Sequence, residues 1–148
     1  MRHIVSVMVV CFLAFFFACE SSEDISRKMD HEVPSYKVLT DSLTVAPGQQ
    51  IEIKVEISDN AGLSKLLLTY GNWGIQEVLS LADLNYPKTY LFTTKVSVPN
   101  DAAKEWVEDF IRNDGYVLKI NQKYHKLNLE ATDINMNVRN IPVYIRVQ

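Results

Sequence analysis

Apolar and charged side chains alternate without interruption in one seven-residue stretch, Ile51-Glu52-Ile53-Lys54-Val55-Glu56-Ile57. This period of two is typical of a β-strand with one face in a hydrophobic core and the other in water. Pro47-Gly48 precedes the stretch and suits the central pair of a type II turn. Ser58-Asp59-Asn60-Ala61-Gly62 follows it and is dense in turn-forming residues. The sequence therefore predicts a half-buried strand between two turns.

Further strands are predicted on both sides of this one. They cover residues 63–70, 75–81, 90–98, 116–120, 127–131 and 141–147, with a short first strand over 36–39 and 43–45 that is broken in two. Pro142 lies in the last strand, and proline cannot donate a hydrogen bond to a neighbouring strand. We therefore expect this last strand to border a sheet.

Residues 101–112 depart from the alternation. Apolar residues recur there at helical spacing, namely Ala103, Trp106, Val107, Phe110 and Ile111. Asn100 or Asp101 could cap the start of a helix and Gly115 its end. We predict an amphipathic helix that covers an open end or edge of the core, with a partner-binding helix as the alternative.

Short strands and regularly spaced turns predict an all-β sandwich of seven to eight strands over residues 36–148, with the helix inserted. Residues 53–63 resemble the passage from the second to the third strand of bacterial immunoglobulin-like and cadherin-like modules, and residues 127–133 resemble their penultimate strand. Met136-Asn137 stands where those modules usually have Gly-Asn, and Tyr124 is one position out of register with their opening aromatic residue. The resemblance covers residues 43–147. It implies an immunoglobulin-like sandwich of the kind found in small lipoproteins of Bacteroidota, which are often linked to glycan uptake or adhesion.

The N-terminal segment predicts secretion. Arg2 precedes an apolar run over residues 4–17, which as a helix would rise about 21 Å, less than the roughly 30 Å of a hydrocarbon core. The short length of the apolar run and the positive charge before it favour a signal peptide over residues 1–18, with an uncleaved anchor as the alternative.

Phe16-Phe17-Ala18-Cys19 at the end of this run resembles a lipobox, although Phe16 replaces the usual leucine. The resemblance implies that Cys19 carries acyl chains that hold the mature protein on a membrane. The alternative is a chance cysteine after ordinary cleavage. The stretch Glu20-Ser21-Ser22-Glu23-Asp24, with three acidic residues, resembles the surface-export signals of Bacteroidota lipoproteins. The alternative is that it belongs simply to a solvated tether over residues 19–35. We expect a lipid-anchored protein of the outer membrane, displayed at the cell surface.

Charge and composition exclude some functions. The net charge is −3, and Arg2 leaves with the signal, so the mature chain is slightly more acidic. A nucleic-acid partner would favour a basic face, so we expect no nucleic-acid partner for this acidic chain. His125 is the only histidine of the predicted domain, and no local motif supplies a nucleophile, a metal set or a phosphate loop around it. We therefore predict no enzyme, because catalysis would need several acids gathered around His125.

Two groups of residues are candidates for binding. Asp59, Asp133 and Asn135 are hard oxygen donors, and the cadherin-like resemblance implies Ca²⁺ binding near such strand ends. The alternative is that they form Asx turns that end strands. Trp73, Tyr70 and Tyr86 could present ring faces to a glycan, or Trp73 could fold back over the end of the sandwich.

The predicted function is a non-catalytic, membrane-anchored surface lipoprotein whose sandwich serves binding, adhesion or assembly. One alternative is a glycan-binding accessory of an outer-membrane polysaccharide-uptake system. Another is a module that docks on an outer-membrane protein partner. A lipid anchor in the membrane is common to all three.

Overall fold

The structure is a computed structural model that describes residues 30–40 and 43–148. The chain divides into two units, Met1–His31 and Glu32–Gln148. The described part of the second unit is all-β, which confirms the predicted class, and it contains two short 3-10 turns but no α-helix. Its strands are β1 (Ser35–Val38), β2 (Thr44–Val45), β3 (Gln50–Ser58), β4 (Leu63–Tyr70), β5 (Ile75–Ser80), β6 (Thr89–Ser97), β7 (Trp106–Ile111), β8 (Val117–Gln122), β9 (His125–Asp133) and β10 (Val138–Val147).

Two sheets enclose one hydrophobic core, as in a β-sandwich. One has the strand order β1-β3-β6 and the other the order β2-β10-β9-β4-β5. Every second residue of the long strands points into the core. Ile53, Val55 and Ile57 do so from the smaller sheet, and Leu129 and Ile141 from the larger. The period of two in the sequence thus marks the buried face of each sheet.

The turn before β3 has the predicted geometry. The N–H of Gln49 donates to the carbonyl of Ala46 over 3.2 Å, and Gly48 has a φ of 76°. A type II turn needs a positive φ at its third position, which glycine adopts without steric cost. The prediction of a type II turn at Pro47-Gly48 is confirmed.

The first strand is broken, as predicted, and its halves join different sheets. β1 pairs antiparallel with β3, whereas β2 pairs parallel with β10. Within the described residues β10 has this second neighbour only at Arg146 and Val147. Pro142 therefore lies where β10 borders the sheet, and the prediction of an edge strand holds for all but the last residues of β10.

The predicted helix over residues 101–112 is wrong. Trp106–Ile111 forms β7, which pairs antiparallel with β8. Two apolar pairs separated by Glu108-Asp109 fit the helical period, but they equally fit a strand with apolar residues on both faces. Aromatic and β-branched residues favour the strand, and Arg112-Asn113-Asp114-Gly115 closes the hairpin in sequence.

The signal peptide over residues 1–18 and the lipid site Cys19 lie outside the described residues, so both stay predictions. In residues 30–40 and 43–148 no helix is long and apolar enough to cross a membrane. At the start of the sandwich Pro34 is buried, and its carbonyl accepts a hydrogen bond from Nε of Arg139 over 3.0 Å.

The chain enters the sandwich at one end, and the hairpin β7–β8 leaves from the other. Ser35 pairs with Ser58 at the last residue of β3, whereas Gln50, its first residue, pairs with Ser97, the last residue before the segment that leads to the hairpin. β3 spans about 26 Å. We call the end with Ser58 the proximal end and the end with Gln50 the distal end.

Candidate functional site

Four rings form a cluster at the distal end. Tyr70 ends β4, Trp73 lies in the 3-10 turn that follows, Trp106 begins β7 and His125 begins β9. The His125 centroid lies 4.6 Å from each indole, and Tyr70 meets Trp73 edge-on at 5.1 Å. The cluster joins the base of the hairpin to the core.

Both nitrogens of His125 have partners, and its side chain is almost fully buried. Nε2 lies 2.8 Å from the carbonyl oxygen of Ala103. Since a carbonyl only accepts, Nε2 carries the hydrogen, and in the neutral ring Nδ1 accepts from the Tyr70 hydroxyl at 2.7 Å. Burial raises the pKa of Tyr70 above its usual value.

His125 thus holds the loop before β7 against the distal end. Its hydrogen-bond and ring contacts in the described part of the chain are Tyr70, Trp73, Trp106 and Ala103, and none is a carboxylate. Packing and hydrogen bonding therefore account for the burial of His125. The absence of catalysis stays a prediction.

The predicted glycan-binding residues do not all come together. Tyr70 and Trp73 touch, but Tyr86 lies at the proximal end, where the N–H of Leu63 donates to the carbonyl of Pro87 over 3.0 Å. Leu63 and Tyr70 are the two ends of β4, about 23 Å apart. Tyr86 therefore cannot share one binding platform with Tyr70. Trp73 is half-buried against His125, as the packing alternative expected.

An open groove of about 570 Å³ runs beside the ring cluster. One wall is the base of the hairpin, and the other is the distal end together with the outer face of the larger sheet. Its lining combines four aromatic and four polar side chains: Tyr70, Trp106, Tyr124, Tyr144, Asn72, Glu108, Gln122 and Lys126. We call this the distal groove.

Sequence reasoning missed most of the distal groove. The helical spacing predicts Trp106 on the core face of a helix, but Trp106 begins β7, and Tyr124 stands out in the sequence only by its register. One signal was present. Tyr144 stands at an outward position of β10, whose inward residues are aliphatic. Lys126, which pairs with Tyr144, stands at an outward position of β9.

The carboxylates of the predicted calcium set lie at the proximal end and bind turns. Oδ1 of Asp59 accepts the N–H groups of Ala61 and Gly62, both over 2.9 Å. Oδ1 of Asp133 accepts the N–H of Asn137 over 2.7 Å, and its Oδ2 accepts from the Asn137 side chain.

Asp59 and Asp133 are both buried and have carboxylate oxygens within 4.8 Å of each other. Asn135 is exposed in the turn between β9 and β10. The hydrogen bonds of the two aspartates match the Asx-turn alternative. Calcium binding stays a prediction.

The hairpin β7–β8 leaves its large apolar residues in solvent on both faces. Val107 and Ile111 lie on one face and Phe110 and Leu118 on the other, with exposed fractions from 39% to 68%. Among the described residues its sheet has no third strand, so both outer backbone edges are unpaired. Large exposed apolar patches are typical of interaction sites, and a free strand edge can pair with a further strand.

No protein-family model matches the chain, and no curated protein matches it.

Proposed function

We propose that this protein is a non-catalytic lipoprotein, held to the outer membrane through Cys19, that presents a protein-binding hairpin at the cell surface. Its sandwich is of the immunoglobulin-like type. The order β1-β3-β6 against β2-β10-β9-β4-β5, with a first strand divided between the sheets, supports this type. The inserted hairpin β7–β8 is the part that binds.

One observation carries the proposal: the hairpin leaves the end of the sandwich opposite to the one where the chain enters. In sequence, a lipid on Cys19 would precede β1, which starts at the proximal end. The length of β3, about 26 Å, therefore separates the end of the sandwich that follows the anchor in sequence from the end that carries the hairpin.

The hairpin suits a protein partner better than a lipid surface. Binding to anionic lipids favours clustered basic residues, but here Asp109 stands opposite Lys119, and Arg112 forms an ion pair with Asp114 at 3.2 Å. Free strand edges can accept an additional strand from another protein, and the apolar side chains on both faces then give specificity. Adhesion or assembly with a surface protein follows from this chemistry.

The anchor is tested by a Cys19→Ser variant. We expect the wild-type protein to fractionate with the outer membrane, to be labelled on intact cells and to show an acylated N-terminal cysteine by mass spectrometry. The variant should leave the membrane fraction. A wild-type N-terminus that begins upstream of residue 19 without acylation would contradict the proposal.

The hairpin is tested by photo-crosslinking in living cells, with the crosslinker at Leu118. We expect a discrete protein adduct that disappears in a Phe110→Ser/Ile111→Ser variant. Val78→Ser on β5 is the matched control, because Val78 is also an exposed apolar strand residue. Equal adducts in wild type, variant and control would count against the hairpin as the binding element.

A further inference from the structure

We propose that the distal groove binds a neutral oligosaccharide. This site is separate from the exposed tip of the hairpin and uses the hairpin's base instead. It gives the binding module of the proposed function a second, non-protein ligand. Its chemistry does not depend on the lipid anchor.

The aromatic side chains of the groove offer ring surface to a ligand. Tyr124 and Tyr144 are each about half exposed, at 50% and 52%. Trp106 is half-buried, with its ring against His125 and the distal groove beside it. Rings that are partly exposed in a concave site can pack against the apolar C–H face of a sugar while its hydroxyls reach the rim.

The polar side chains of the groove match hydroxyl groups. Asn72 and Gln122 carry amides, which both donate and accept, and a hydroxyl does the same. Nε2 of Gln122 donates to Oε2 of Glu108 over 3.0 Å, so the Gln122 carbonyl and the other Glu108 oxygen remain to accept from a ligand. These groups can hold the edge of a sugar ring while aromatic side chains hold its face.

The charges of the groove favour an uncharged ligand. Glu108 and Lys126 are the acid and the base among its lining residues. The two charges balance within the distal groove, so it has no net charge that would attract an anionic or a cationic ligand. A neutral sugar can hydrogen-bond to both side chains.

A second hollow shares the two tyrosines of the distal groove, which favours a chain over a single sugar. Tyr124 and Tyr144 also line a neighbouring hollow of about 470 Å³. Thr40 and Thr44 contribute hydroxyl groups to that second hollow, and Arg146 adds a charged guanidinium that can donate hydrogen bonds to sugar hydroxyls. A ligand that crosses the tyrosine pair can occupy both hollows with successive units.

The test uses the full chain in detergent micelles on an array of neutral and acidic oligosaccharides. We expect binding to a neutral oligosaccharide of several units. Titration with the best neutral oligosaccharide should change the intrinsic fluorescence, because both tryptophans of the chain, Trp73 and Trp106, lie at the distal end. Tyr124→Ala and Tyr144→Ala should each weaken affinity about tenfold or more, as expected for truncated aromatic anchors.

Tyr86→Ala is the matched control, because Tyr86 is an exposed tyrosine at the proximal end. It should bind like wild type. Asn72→Ala provides a second groove variant, and circular dichroism checks that every variant is folded. Binding to no neutral oligosaccharide, binding to anionic glycans only, or wild-type affinity in the folded Tyr124→Ala and Tyr144→Ala variants would each overturn the proposal. Surface labelling and the Leu118 crosslink do not involve this groove, so their failure is separate.

Discussion

Two hairpins of this protein close with the same five-residue turn and differ in everything around it. In β9–β10 the N–H of Asp133 donates to the carbonyl of Asn137, and the N–H of Met136 donates back to Asp133. In β7–β8 the corresponding bonds join Arg112 to Tyr116 and Gly115 to Arg112. The fourth residue is left-handed in both, with φ of 68° at Met136 and 81° at Gly115.

The surroundings of the two hairpins differ in burial. β9 buries alternate residues over most of its length and pairs with β4 as well as β10. Among residues 30–40 and 43–148, β7 and β8 have no strand partner besides each other, and they are exposed except at Trp106 and Gln122. The same local backbone geometry is therefore stabilised by the core in one case and by the packing of the base in the other. A two-stranded ribbon is marginal by itself in water, and the apolar residues it leaves exposed are available to a partner.

The largest expected effect comes from removing one leucine from each hairpin. Leu129→Ala in β9 should lower the free energy of unfolding by about 2–5 kcal/mol, because it leaves a cavity in the core. Leu118→Ala in β8 should change it by less than about 0.5 kcal/mol. Urea unfolding followed by circular dichroism measures both, and similar losses would break the comparison.

The turns can be compared through their aspartates. Asp133 is fully buried and its carboxylate accepts two hydrogen bonds from Asn137, so Asp133→Ala should cost about 1–3 kcal/mol. Asp114 accepts the N–H of Tyr116 in solvent over 3.1 Å, and Asp114→Ala should cost less than about 0.5 kcal/mol. The same unfolding measurement applies, and a larger loss for Asp114→Ala would contradict the contrast in burial.

The left-handed residue gives a smaller effect of opposite sign. Met136→Gly should raise the free energy of unfolding by about 0.5–1 kcal/mol, because glycine adopts a positive φ without steric cost. Ile134→Gly in the same turn is the control and should lower stability, because Ile134 gains nothing from that freedom. A loss in Met136→Gly would show that other contacts of the methionine outweigh its strained backbone.

The base of the β7–β8 hairpin predicts a pH dependence. Burial raises the pKa of Tyr70 above its reference of 10.0, so the unfolded chain loses this proton first as the pH rises. Stability from this group is complete below pH 10 and should fall as the pH rises through the folded-state pKa. In Tyr70→Phe this part of the fall should vanish, while in Tyr86→Phe it should remain. Unfolding curves at several alkaline pH values measure this fall in stability. Equal falls with pH in Tyr70→Phe and Tyr86→Phe would contradict the prediction.

The smallest expected effect concerns calcium at the β9–β10 turn. Because the carboxylates of Asp59 and Asp133 accept hydrogen bonds from their turns, we expect millimolar Ca²⁺ to leave the melting temperature unchanged. Mg²⁺ at equal concentration is the control for ionic strength. A rise with Ca²⁺ alone would support the calcium site predicted from the cadherin-like resemblance.

Alternation decided which parts of the fold could be predicted from sequence. β4 over Leu63–Tyr70 has the predicted bounds, and β3 extends the predicted strand by one residue at each end. The prediction failed at β7 because most of its side chains face solvent and not the core. Without a buried face, the doublets Trp106-Val107 and Phe110-Ile111 carry no period of two.

The site could be predicted only where its residues are close in sequence. Tyr70 and Trp73 are three residues apart, and a turn explains why they meet. The rest of the distal groove comes from distant strands, since Trp106, Tyr124 and Tyr144 meet only through the pairing of β9 with β10 and the position of the hairpin. No spacing in the sequence records that meeting.

If the protein is anchored upstream of β1, as we propose, the division of the first strand between two sheets has a mechanical consequence. A pulling force between the start of β1 and the hairpin would act along the strands, from the proximal to the distal end. β1 against β3 and β2 against β10 would then slide lengthwise, so that several backbone hydrogen bonds must rupture together, among them Leu39 to Lys54 and Arg146 to Leu43. Breaking several hydrogen bonds at once needs a larger force than breaking them one after another. The short β2 adds a second point of attachment to the one that β1 provides.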